Sequence, residues 1–213
     1  ILGRAGTEEP VLFTVREDFS LGSSSNAWGP VNVNADWNVL VANGKTLNVY
    51  GALNSSGRTI TVGGEGFSGT LVLNNAANAS MTAEWVITSG STVRCMNNSA
   101  LGSGLVTLDG GTLDFNSQTI GSTITLNMSG TGTLQNVTVD GAILSYTSSS
   151  GNDGITASNT TWTSGKIDIG RLLQGFSAEG SNTVDLGVEL GEGFSVLGLE
   201  TGQYRIEGSV LTI

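Results

Sequence analysis

Three carboxylates in the middle of the chain, Asp109, Asp114 and Asp140, are the side chains best placed to do chemistry. Two acids flanking a glycosidic bond can act as general acid and as base or nucleophile, and an Arg beside a carboxylate-held Ca²⁺ can serve as the base of an elimination. Asp114 stands between the apolar pair Leu113 and Phe115, so in a strand it faces away from them. Arg94 occupies the matching slot about one coil earlier, and the expected outcome is a solvated cross-strand ion pair worth less than about 1 kcal/mol. The 213 residues contain no histidine, which removes Ser-His-Asp triads, Cys-His dyads and nearly every common zinc site. Cys95 is the only cysteine, so no intramolecular disulfide exists, and its apolar slot marks it as a small buried hydrophobe. The run Gly63-Gly64-Glu65-Gly66-Phe67-Ser68 approaches a calcium-binding repeat but lacks the Asp. The sequence therefore assigns no catalytic residue, no cofactor and no metal ligand, and the expectation is a protein that is not an enzyme.

The elements that carry these side chains repeat. A phrase of Thr, apolar, any, apolar begins at Thr46, Thr59, Thr70, Thr92, Thr112, Thr123 and, imperfectly, Thr133. The step is roughly 11 residues or its double, the mark of a solenoid in which one coil takes about two phrases. Each phrase alternates like a half-buried strand and is followed by Gly, Asn or Ser, which turn the chain. The fold class is all-β, a parallel β-helix (β-solenoid). Leu47, Val49, Ile60, Val62, Leu71, Leu73, Leu113, Phe115, Ile124 and Leu126 are expected inside, with Asn48, Thr61, Val72, Asp114 and Thr125 facing outward. Asparagines just past strands, at Asn74, Asn97, Asn116 and Asn127, are expected to stack as a turn ladder. The Asn-x-Ser/Thr triplets at Asn54, Asn78 and Asn159 follow from composition and say little about glycosylation.

Residues 1–30 do not fit the repeat and read as an N-terminal extended strand arm and linker, 31–170 as the β-helix, and 171–213 as an acidic C-terminal β cap ending in a hairpin around Gly208-Ser209. Ser148 to Gly154 reads as a loop. Val11, Leu12, Phe13, Thr14 and Val15 form a candidate assembly strand. It either completes a neighbour's sheet, which repeated head to tail gives a filament, or caps its own first coil.

Composition narrows the partners. A net charge of −10 and a pI near 4.2 oppose binding to nucleic acid or anionic lipid, and no basic cluster offsets this locally. No apolar run reaches the ~20 residues of a spanning helix, so no membrane insertion is expected. The chain starts without Met, as a processed or excised piece would.

Residues Ala100 to Asn116, Ala-Leu-Gly-Ser-Gly-Leu-Val-Thr-Leu-Asp-Gly-Gly-Thr-Leu-Asp-Phe-Asn, resemble the autotransporter-associated β-strand repeat, closely over some 30 residues and loosely over about 45–140. The resemblance implies a secreted or surface-exposed bacterial β-helix and no enzyme. The expected function is a non-catalytic extracellular structural protein that self-assembles as a homo-oligomer or filament, or decorates the cell surface. An adhesin-like passenger with a cell-surface or glycan partner is the first alternative, and a polysaccharide-degrading β-helix enzyme the second.

Overall fold

The computed structural model describes residues 9–26, 29–75, 77–88, 90–146, 154–169 and 182–213. The chain winds into a β-solenoid of about six turns. The first turn holds β1 (Val11–Val15), β2 (Phe19–Leu21) and β3 (Val31–Val33). The second holds β4 (Trp37–Val41), β5 (Thr46–Val49) and the start of β6 (Leu53–Val62), which bends round a corner into the third. β7 (Thr70–Leu73), a 3₁₀ turn at Ala77–Ser80, β8 (Thr82–Thr88) and β9 (Thr92–Cys95) follow. β10 (Gly104–Ile120), β11 (Ile124–Ser145) and β12 (Gly154–Asp168) each run through corners without losing strand pairing.

Pairing in this stack is parallel throughout, and it defines three faces. The first face runs β1-β4-β6-β8-β10, the second β2-β5-β7-β9-β10, and the third starts with β3-β6. β10 pairs β8 through one end and β9 through the other, so it serves both faces. Length differences between coils are absorbed at corners, where the register slips, as between Asp109 and Gly111 and between Asp114 and Gln118. At Gly104 a side chain is excluded: φ is +137° and a Cβ would sit 2.2 Å from the Ala83 carbonyl oxygen.

Equivalent side chains stack about 4.8 Å apart along the axis. One inward row on the second face reads Phe19, Leu47, Leu71, Val93, Leu113 and Leu134, and its neighbour reads Leu21, Val49, Leu73 and Cys95. On the first face Trp37, Ile60, Trp85, Val106 and Leu126 form another. All ten residues expected inside are buried. The period-2 alternation thus sets which side of each strand faces in.

Two outward-facing residues are less exposed than their side of the strand suggests. Val72 is only 7% exposed: it points outward, but its register neighbours are Asn48 and Arg94, whose longer side chains shade it. Asp114 is 3% exposed although it too points outward, for reasons taken up below. Of the two roles open to the candidate assembly strand, pairing with its own coils is the one seen: Val11, Leu12, Phe13, Thr14 and Val15 pair in register with Trp37 to Val41 of the same chain, and Phe13 packs on Trp37 with ring centroids 5.8 Å apart. The solenoid starts at β1, because a strand with the right alternation is worth most where a ready-made parallel edge exists.

Parallel winding stops near the C-terminus. β13 (Thr183–Asp185), β16 (Val210–Thr212) and β15 (Arg205–Glu207) form a small antiparallel sheet in that order, and β14 (Gly193–Val196) adds a last parallel rung to β12. The β15–β16 turn is the expected Gly208-Ser209 pair, with Gly208 at φ +60°. Leu211 and Leu186 seal this end, and the Tyr146 hydroxyl, inside the stack, donates to the Leu186 carbonyl at 2.9 Å. The expected loop from Ser148 lies outside the described residues up to Gly154, as do Arg171 and Glu179 of the acidic segment.

Candidate functional site

The densest polar cluster lies on the outward side of the second face. Register aligns Arg94, Asp114 and Gln135 on successive coils. Arg94 Nε donates to Asp114 Oδ2 at 3.0 Å, the Asn116 backbone N–H to Oδ1 at 2.9 Å, and Asn136 Nδ2 to Oδ1 at 3.0 Å. Asn159 Nδ2 then donates to Asn136 Oδ1 at 2.9 Å. The ion pair expected from the sequence is present, but it is not a solvated one, because the neighbouring amides close over the carboxylate. Burial pushes the Asp114 carboxyl up; the bonds from Asn136, Asn116, Arg94 and Gln135 outweigh it and hold the group below the usual carboxylate range. A carboxylate so fully engaged is a structural anchor, since its acceptor sites are spent on the protein itself.

The corner asparagines explain the cluster. Asn116, Asn136 and Asn159 have φ of 49°, 54° and 52°, the left-handed conformation that Asn tolerates. The ladder is therefore Asp114, Asn136 and Asn159, with Asn116 contributing its backbone. Asn74 and Asn97 are not part of it; each buries an Nδ2 that makes no hydrogen bond. Asn127 instead reaches Thr107 Oγ1 at 3.4 Å. Asn78 was unreadable in this respect: it is buried, its Oδ1 accepts from the Leu53 N–H at 2.7 Å, and its Nδ2 donates to the Ala100 carbonyl at 2.8 Å. One side chain thus ties three coils together where the 3₁₀ turn interrupts the ladder, and its amide is closed to glycosylation.

The three carboxylates do not converge. Asp109 is exposed at the corner between the first and second faces, Asp114 lies within the second, and Asp140 is exposed at the corner between the third and first, accepting from Ser164 Oγ at 2.5 Å. Cys95 is buried, and burial pushes its thiol up, away from a reactive thiolate. Among the described residues no group of three or more His, Cys, Asp or Glu is placed to hold a metal ion.

A second feature is a concave one. Where the third face turns into the first, a groove of about 550 Å³ crosses the first three coils, with Asn32, Asn34, Asn54, Ser55, Ser56 and Arg58 in its lining and Ser80 at the far end. Asn54 Nδ2 donates to Asn32 Oδ1 at 3.2 Å, and the Ser55 hydroxyl oxygen is buried without a hydrogen-bond partner. Gly57, at φ +62°, and a register slip between Ser56 and Arg58 push the chain outward here. The pair Ser56-Gly57 has the composition of a turn, but here it is a bulge inside a continuous strand, and that bulge builds the groove wall. Comparison with protein-family models, with curated protein sequences and with solved structures finds no match to this chain.

Proposed function

We propose that this chain is a non-catalytic structural protein of the bacterial exterior, of the kind its resemblance to autotransporter-associated repeats implies, which serves as a stiff column and associates end-on through its N-terminal coil. About six turns at ~4.8 Å give a column of roughly 30 Å. The observation that carries the reading is Phe19. It stands in the same inward row as Leu47, which is 0% exposed, yet Phe19 is 46% exposed because no described strand stacks on its outer side. Among the described residues β1, β2 and β3 each leave one edge unpaired, and Leu12 adds apolar surface at 64% exposure. At the opposite end β13, β14 and β15 each leave an edge unpaired among the described residues, but these strands are only three or four residues long and β15 carries the ion-paired Arg205 and Glu207, the short, charged kind of edge that resists strand addition. Contact between two like apolar ends closes on itself and favours end-to-end pairs over filaments. Sedimentation of the intact protein over a wide concentration range is expected to show a monomer–dimer equilibrium that Phe19→Asp abolishes without loss of β-sheet signal. A monomer at all concentrations, or a dimer indifferent to Phe19→Asp, refutes the reading.

A further inference from the structure

We infer that the groove at the corner of the first three coils binds a short hydrophilic oligosaccharide carrying a single carboxylate, with Arg58 as the residue that selects the acid. Asn32, Asn34, Asn54, Ser55, Ser56 and Ser80 give the groove amides and hydroxyls, which both donate and accept and so match the hydroxyls of a sugar, while Val33 and Met81 supply apolar surface for the faces of its rings. Stacked coils repeat these groups about every 4.8 Å, a spacing close to the length of one sugar ring. Asn32 and Asn54, one above the other, already bond to each other, and the Ser55 hydroxyl beside them is buried with no hydrogen-bond partner among the described residues.

Charge narrows the ligand further. The chain as a whole carries −10, yet among the described residues no carboxylate lines this groove and one guanidinium does. Lys45, Arg94 and Arg205 are paired with Glu17, Asp114 and Glu207. Arg58, by contrast, is exposed on the bulge and has no ion pair among the described residues. The carboxylate of Asp36, two residues beyond Asn34, accepts from the Thr59 N–H at 3.0 Å. A lone guanidinium in an acidic protein suits one carboxylate, which it engages through two parallel N–H···O bonds; a polyanion would meet net repulsion.

The test uses the intact protein with 3′-sialyllactose and aldotetraouronic acid, each bearing one carboxylate, against the neutral lactose and xylotetraose, by calorimetry and saturation-transfer NMR. At least one acidic saccharide is expected to bind at least about tenfold tighter than its neutral counterpart, the difference one charge-assisted hydrogen bond makes. Arg58→Gln should bring the acidic ligand down to the neutral level, Asn54→Ala should weaken it further, and Arg16→Gln, an exposed cation of the first coil, should leave it unchanged. Far-UV circular dichroism shows that each variant is folded. No binding by either acidic saccharide, equal binding of the neutral ones, or full binding by folded Arg58→Gln overturns the inference.

Discussion

Replacing Asp114 with Ala at neutral pH is expected to destabilise the protein by about 2–3 kcal/mol. The carboxylate accepts from Arg94, Asn116, Asn136 and Gln135, and hydrogen bonds to a charged group are worth up to about 1.5–3 kcal/mol each when their donors have no alternative. Here they have one. The Arg94 side chain is 45% exposed and Asn116 lies at the surface, so water replaces the lost acceptor and each bond contributes nearer 0.5–1 kcal/mol. Asp114→Asn keeps the shape and one acceptor oxygen and should recover about half of the loss. The effect must also depend on pH with a fixed sign. The folded carboxyl titrates below its unfolded value of about 3.9, so the folded state binds the proton less well; the stabilisation is complete above about pH 5 and drains away as pH falls through the lower folded value. Urea unfolding followed by circular dichroism at pH 7, and again at about pH 2.5, measures the gap between wild type and Asp114→Asn, which should shrink on acidification. An Ala variant within about 0.5 kcal/mol of wild type at pH 7, or a wild-type-to-Asn gap unchanged in acid, would show that the cluster is not the anchor described.

Leu113→Ala empties a position in the middle of an inward row and is expected to cost about 2–5 kcal/mol in the same unfolding assay. Asn78→Ala leaves the Leu53 N–H and the Ala100 carbonyl without partners and should cost about 2–4 kcal/mol, whereas Asp109→Asn, on an exposed corner, should stay within about 0.5 kcal/mol. Cys95 should resist alkylation in the folded protein even at alkaline pH and react only as the chain unfolds, as mass spectrometry of iodoacetamide-treated samples along a urea series can read. Deleting residues 1–20 removes β1 and all but the last residue of β2 and uncovers the edges of β4 and β5, so light scattering should report more association, not less.

The solenoid was legible because one physical rule, alternation with a recurrent turn, is repeated enough times for the period to emerge. Leu47, Val49 and Leu113 each carry the same local pattern, and nothing beyond it is needed to place them inside. The first coil was missed because its strands lack the Thr-led phrase: Val11 to Val15 and Phe19 to Leu21 belong to the stack through their edges, a relation no short window contains. The burial of Asp114 was hidden for a similar reason. Its own neighbours say only that it points outward, while Arg94, Gln135 and Asn136, which close over it, come from positions about 20 residues before and after it. The groove depends on a bulge, which reads in sequence as an ordinary Ser-Gly turn until the strand is seen to continue through it.

The direction of the inter-coil hydrogen bonds has a mechanical consequence. They lie along the axis of the winding, each coil bonded to the one before and the one after, so tension between the two ends meets them one coil at a time. The chain would then peel from an end, each released coil paying out its own contour length while the rest stays wound. Compression is opposed by every coil together, because it drives the stacked side chains of a close-packed interior into one another. Such a winding stands up to compression better than to tension, and under tension it yields gradually, coil by coil.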